Sequence, residues 1–458
     1  MEPILLTDNS ISEVLISNLD FENLWSVANR SLKDLVAEND NFLIYPPNIN
    51  ESKDKIGNLN IFSLSSREYP GEGRKCSVST GNLMGFFRCG ALDKQTEVHI
   101  QSRFIDEKFA GNDWFLPYML SKVLNFNVLE NDTSQKQDPL FDLLVLLFPR
   151  YLVNAYQKGL FRQYVVHEYN DSRVKGAIDV NRHIHYNVPF TGKIAYRTRD
   201  YSYDNPVMQL VRHTIEFIRH HRYASLLHDE NVAHYVTQVC EATPSYYLNE
   251  RKKVLDKNRR DVNHPYLFEY TDLQKLCRMI LMYDDACYGV VQEDVISGIL
   301  FDGAWLWEEY LNVVLEEAGV GLTHAKNKSG GGAIHPIVDQ NGKDIGLFYP
   351  DFYRKSPGFV IDAKYKRLEN KNPQADDLQQ VIAYMHILSA KSGVYLYPRE
   401  TPQNFNECYL GTLNGMGGKL YTYGLFIPTD CCDFSTFKQS MQTQELALVD
   451  FVKKVSTP

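Results

Sequence analysis

The chain has 458 residues, enough for two or three domains, and its 44% hydrophobic and 23% charged residues can build a sizeable core. The formal charge of −9 argues against a protein that grips nucleic acid through an overall basic excess. Any such contact must come from a local basic strip or through a partner. The opening MEPILLTDNSISEVL lacks the basic and apolar segments of a secretory signal, and the apolar run near Leu140–Phe148 is too short to span a bilayer. The eight cysteines form no C-x-x-C pair, so reduced thiols are expected, without disulfides or zinc, in a cytoplasmic protein that does not enter membranes.

A helix is expected over Phe21–Ala37, built on Leu24, Val27, Leu32 and Leu35. From Phe42 to about Thr80 the composition turns to Asn, Ser, Pro and Gly, as in strands joined by long loops. Asn82–Arg88 and Thr96–Phe104 read as strands around a turn at Ala91–Lys94, which gives a β-rich N-terminal domain over residues 1–110. Gly71-Glu72-Gly73-Arg74 lacks the Gly-Lys-Ser/Thr of a phosphate loop, so no nucleotide is assigned to it.

Residues 111–299 form a mostly helical middle region. Phe115–Leu124 and Leu140–Tyr156 are apolar around much of the helix, and a further helix starts at Pro206 behind the cap Asp204-Asn205. The densest basic cluster is Arg251-Lys252-Lys253 with Lys257–Arg260, and a solvated helix face explains it as well as a DNA contact. His213, His220, His221 and His264 have no ligand spacing on one helix face and no supporting Glu or Cys, so no metal is assigned to them.

Residues 300–458 carry the chemistry, in an α/β domain. Phe301, Ala304, Glu308, Leu311 and Leu315 recur on one helical face, and Glu308 is the only charge on that stripe. The connector Ser329–Gly332 leads to a hairpin with arms Ile345–Tyr353 and Phe359–Tyr365 around the turn Lys355-Ser356-Pro357-Gly358. Alternation puts Asp362, Lys364 and Lys366 on one face and Ala363 and Tyr365 on the other, with Asp351 opposite Asp362 on the paired arm. Two adjacent carboxylates repel unless a cation sits between them. Hard oxygen ligands suit Mg²⁺, with Mn²⁺ as a substitute, and a neighbouring lysine can orient water or steady a developing charge. A surface hairpin with a Lys–Asp charge ladder is the bland alternative. Downstream, Asp377–Leu388 reads as a helix with Gln380 and Tyr384 one turn apart, followed by strands at Gly393–Tyr397 and Leu420–Ile427 and a closing helix at Phe434–Val455.

The order E…PD-x(10)-D-A-K…Q-x-x-x-Y resembles the PD-(D/E)XK nuclease core: a mixed sheet flanked by helices. The run WEEYL, the strand DAKYK, the later VYLYP and the central GLFRQYVVHEYN…RVKGAIDVNRHI…YDNPVMQLVRHTIEFI resemble the McrC family, the nuclease subunit of the McrBC modification-dependent restriction system. This resemblance covers most of residues 140–400. It implies a metal-dependent endodeoxyribonuclease with Asp351, Asp362 and Glu308 as Mg²⁺ ligands, Lys364 as catalytic lysine, and Gln380 and Tyr384 in support. It also implies a McrB-like AAA+ GTPase partner, engaged by the N-terminal part and stimulated in its GTPase, and duplex DNA carrying modified cytosine as substrate. A stand-alone structure-specific nuclease, or a non-cutting activator of the GTPase, are the alternatives.

Overall fold

A computed structural model describes residues 3–39, 42–46, 56–68, 74–91, 94–105, 113–124, 139–221, 223–262, 264, 266–287, 296–325, 332–367, 373–401, 406–415 and 417–456. The chain divides into two compact units, Met1–Lys136 with Gln292–Pro458, and Gln137–Val291. Among the described residues no helix is long and apolar enough to cross a membrane, and seven cysteines are free thiols. Most of Gly71–Arg74, the tip of the Ala91–Lys94 turn and most of Ser329–Gly332 lie outside the described residues.

After two strands, the first unit has two helices where the sequence predicts one. Asn18–Val27 and Leu32–Glu38 are separated because Asn29 takes a left-handed φ of 59° and Ser31 caps the second helix, as Ser17 caps the first. They bury Leu24, Leu32 and Leu35 on a core with Phe62, Val78 and Phe87. A three-stranded sheet runs in the order Ile11–Ile16, Arg74–Thr80, Phe62–Glu68. A five-stranded one runs Ile4–Thr7, Thr96–Gln101, Leu83–Cys89, Ser297–Asp302, Phe42–Tyr45.

The fourth of these strands departs from the three-part division drawn at residues 110 and 300. Ser297–Asp302 enters the N-terminal sheet antiparallel to Leu83–Cys89 and parallel to Phe42–Tyr45. Phe301 therefore lies in a strand and not on the helical stripe assigned to it. The approach is close enough to demand glycine: a Cβ on Gly298 would fall 2.4 Å from the Phe87 Cβ. Asp302 then accepts from the Trp305 amide at 2.8 Å and starts the helix Gly303–Glu317, which buries Leu311 and Leu315.

A six-stranded mixed sheet follows in the order Thr323–His324, Phe352–Lys355, Gly358–Ala363, Ser392–Arg399, Lys419–Phe426, Glu407–Thr412. Its first pairs are antiparallel, the middle two parallel and the last antiparallel. The first arm of the hairpin is shorter than expected, because Asp344–Ile345 pairs instead with Ile337–Val338. Helix Ala375–Ile387 packs Val381, Tyr384 and Met385 against Val360 and Tyr395. Helix Phe434–Ser456 closes the chain.

The Gln137–Val291 unit contains the expected helices at Pro139–Tyr156 and Pro206–Arg219, and two more at Glu230–Ala242 and Glu269–Cys287. Asn205 caps the second by accepting from the Val207 and Met208 amides. The unit also carries a sheet that helical periodicity does not reveal. Ile194–Ser202 pairs along its whole length with Gln163–Asp171 and borders Ala177–Ile178, and the helix Val180–Asn187 lies beside it.

Candidate active site

The tight turn at Ser356-Pro357 sets the register of the hairpin, Phe352 opposite Ile361 and Tyr353 opposite Val360. One step further along, Asp351 meets Asp362, and Asp351 Oδ2 accepts from the Ala363 amide at 2.7 Å. Asp362 is 0% exposed. The Lys364 ammonium donates to Asp362 Oδ1 at 3.1 Å and to Gln380 Oε1 at 3.0 Å. Asp362 Oδ2 also lies 3.1 Å from the same ammonium, so both carboxylate oxygens face the one cation. One helical turn on, Gln380 Nε2 donates to the Tyr384 hydroxyl at 2.8 Å, which donates to the Tyr349 carbonyl at 3.3 Å. The other face of the strand behaves as alternation requires: the Tyr365 hydroxyl meets Ser102 Oγ at 3.0 Å, inside the N-terminal layer.

Burial, reinforced by the Asp351 carboxylate, pushes the Asp362 carboxyl up to about 7, against the pull of Lys364. Burial alone would lower the Lys364 ammonium, yet the carboxylates of Asp362, Asp351 and Glu308 outweigh it and raise it. An acid and a base that both shift upward share a cause in part: the spot holds more negative charge than its one ammonium neutralises. It favours an additional positive charge, whether a proton or a metal ion.

Glu308 and Glu309, both half-buried, turn to different partners. Glu308 acts on Lys364, while Glu309 faces His324 Nε2 at 3.5 Å. His324 stacks on Phe352 at 4.8 Å and its Nδ1 donates to the Asp351 carbonyl at 2.8 Å. Burial lowers that imidazole, but Glu309 and the Asp351 carbonyl overcome it and raise it. Asp377, at 6% exposure, ion-pairs with Lys366 at 3.1 Å and accepts from the Tyr395 hydroxyl at 3.1 Å.

The fold thus brings together Asp351, Asp362, Lys364, Gln380 and Tyr384, with Glu308 in electrostatic reach of the ammonium. Among the described residues no three His, Cys, Asp or Glu side chains are gathered tightly enough to hold a metal by themselves. Two carboxylates that share a single ammonium still fit Mg²⁺, which takes one or two protein carboxylates and fills its shell with waters and phosphate oxygens. His324 and Asp377 escape sequence reasoning. His324 sits in a two-residue strand without local pattern, and Asp377 announces itself only by its place three residues before Gln380.

A family model described as McrBC 5-methylcytosine restriction system component matches residues 78–398. No curated protein matches the chain. Among solved structures, a chain of the refined half-complex from a tetradecameric assembly of Thermococcus gammatolerans McrB AAA+ hexamers with bound McrC is similar at 14% identity. That match covers 96% of this chain and 100% of the other, with a TM-score of 0.47. A chain of the Thermococcus gammatolerans McrBC complex is similar at 15% identity, with 70% and 90% covered and a TM-score of 0.32. The family match spans well over half of the sequence, from the N-terminal sheet through the hairpin and the parallel strand beside it, and the chain belongs to the family of McrBC 5-methylcytosine restriction system components.

Proposed function

We propose that this chain is the DNA-cutting subunit of a McrBC-type restriction system, hydrolysing phosphodiester bonds at Asp351, Asp362 and Lys364 with Mg²⁺. The observation that carries the reading is the pair of opposed carboxylates sharing one buried ammonium, in a spot with negative excess. When bound, Mg²⁺ neutralises charge on the scissile phosphate and lowers the pKa of water. Asp351 and Asp362 would hold it. Lys364 stays protonated because its surroundings raise it, so it can donate to an attacking water or to the phosphate as charge builds. Gln380 fixes the ammonium and Tyr384 fixes Gln380, so the lysine is held before substrate arrives. Glu308 supports the ammonium electrostatically and is the remaining candidate ligand.

Family membership supports a McrB-like AAA+ GTPase as the partner that delivers DNA with modified cytosine. The N-terminal part, residues 1–110, is the proposed contact with that ring. Ser102 reaches the strand of Lys364 through Tyr365, which gives such a contact a path to the site. The test is to co-purify the chain with a McrB-like GTPase and assay cleavage of methylated and unmethylated DNA with Mg²⁺ or Mn²⁺. Wild type should cut methylated DNA, and Asp362→Ala should not, while still assembling and stimulating GTP hydrolysis. Cleavage by Asp362→Ala at the wild-type rate would reject the site; stimulation without any cleavage by wild type would favour a non-cutting activator.

A further inference from the structure

The basic cluster noted in the sequence is absorbed only in part by the active-site reading. Arg251 donates to the Leu281 carbonyl at 2.6 Å and Lys253 pairs with Glu250 at 2.8 Å, so that half supports local structure. Lys257 and Arg260 do something else. Together with Arg162, about a hundred residues earlier in the chain, they line a cleft of about 490 Å³ within the Gln137–Val291 unit. All three are exposed, and among the described residues none of them makes an ion pair.

The lining otherwise offers little negative charge. Its one carboxylate, Asp261, is held by Lys275 at 3.1 Å and Arg278 at 3.0 Å. Gln274 and Asn258 spend their amides on each other and on backbone: Gln274 donates to Asn258 at 2.9 Å and accepts from Val262 at 2.8 Å. The floor is therefore preorganised, and the three cations remain for a ligand. At the mouth, Tyr164 and Tyr201 are cross-strand partners with ring centres 5.0 Å apart, and they are 59% and 55% exposed. Arg199 lies over Tyr164 at 4.6 Å, and Arg162 over Tyr203 at 3.8 Å. Charge over the whole chain points the same way. Residues 137–291 hold 20 Lys and Arg against 18 Asp and Glu, so the acidic excess behind the net charge of −9 resides in the other unit.

We infer that this cleft binds a single strand of nucleic acid, with phosphates on Arg162, Lys257 and Arg260 and an unpaired base on the Tyr164–Tyr201 platform. Cations tracking a backbone beside exposed aromatic rings are how single strands are held without sequence preference. A duplex keeps its bases stacked on each other and would leave the tyrosine platform unused. The cleft is also of nucleotide-pocket size rather than groove size. The choice of nucleic acid over an acidic protein segment rests on the DNA-cutting reading above.

The test uses the full chain in EDTA, with a fluorescein-labelled mixed-sequence oligonucleotide, single-stranded and annealed to its complement. Wild type should prefer the single strand. Arg162→Ala/Lys257→Ala/Arg260→Ala should weaken it at least about tenfold and reduce the salt slope by about 2, as loss of three phosphate contacts requires. Tyr164→Ala/Tyr201→Ala should weaken the single strand more than the duplex. Arg259→Ala, which removes a neighbouring cation already paired with Asp256 at 2.9 Å, should change nothing. All these positions are exposed, and melting curves will verify folding. Wild-type affinity in the triple variant overturns the proposal, as does normal DNA binding combined with lost assembly with the GTPase, which would mark a protein-docking surface. The two readings fail separately: cleavage by Asp362→Asn in Mg²⁺ with the GTPase present would sink the active-site reading and leave the cleft standing, whereas a triple variant that binds normally sinks the cleft and leaves the active site untouched.

Discussion

Replacing Asp362 by Asn removes a charge while keeping the side-chain volume, so it isolates the electrostatic cost of the site. The Asp362 carboxyl rises from 3.8 to about 7 in the folded chain because of burial and the nearby Asp351. A folded value above the unfolded one means that the fold holds the proton more tightly. The stabilisation is complete below the unfolded value and is lost as pH rises through the folded one. About three units correspond to at most about 4 kcal/mol lost between pH 4 and 8 without metal. For a unit of this size Asn should raise the metal-free melting temperature at pH 8 by up to about 5 °C and have little effect at pH 5. Mg²⁺ should reverse the order, stabilising wild type and leaving Asp362→Asn unmoved. Melting curves at several pH values, with EDTA or with Mg²⁺, measure all of this. A variant less stable than wild type at pH 8 in EDTA, or one that Mg²⁺ stabilises equally, would refute the argument.

Lys364→Ala should lose cleavage yet keep the Mg²⁺-induced rise in melting temperature, because the ammonium is proposed to act on water and phosphate and not on the metal; loss of that rise would count against the assignment. In the Gln137–Val291 unit, burial and then Arg251 depress the His213 imidazole to about 4, below its usual 6.5, so the fold favours the neutral ring. Stability present above pH 6.5 should fall by up to about 3 kcal/mol as pH drops towards 4, and His213→Gln should flatten that slope, read by hydrogen exchange in the helix Pro206–Arg219. Gly298→Ala should destabilise the first unit by about 1–3 kcal/mol, because the new Cβ has Phe87 in its place; a neutral result would deny that Ser297–Asp302 belongs to the N-terminal sheet.

The local chemistry of the site is legible in the residue pattern alone. Period-two alternation is enough to put Asp362 and Lys364 on one face and Tyr365 on the other, and the turn at Ser356-Pro357 fixes which residue meets Asp351. Helical spacing likewise places Gln380 over Tyr384, and the hydrogen bond between them in the folded site follows that spacing. Tertiary structure decided what depends on distant partners. Ser297–Asp302 reads as the approach to a helix, yet its pairing groups are satisfied by strands more than two hundred residues earlier, so a fragment starting at residue 300 would cut through a sheet. The His324 bond to the Asp351 carbonyl, and the meeting of Arg162 with Lys257 and Arg260, likewise join segments whose spacing in sequence carries no period. Even the most telling property of Asp362 is collective, since a carboxylate becomes a strong cation site only when the surrounding chain takes away its water.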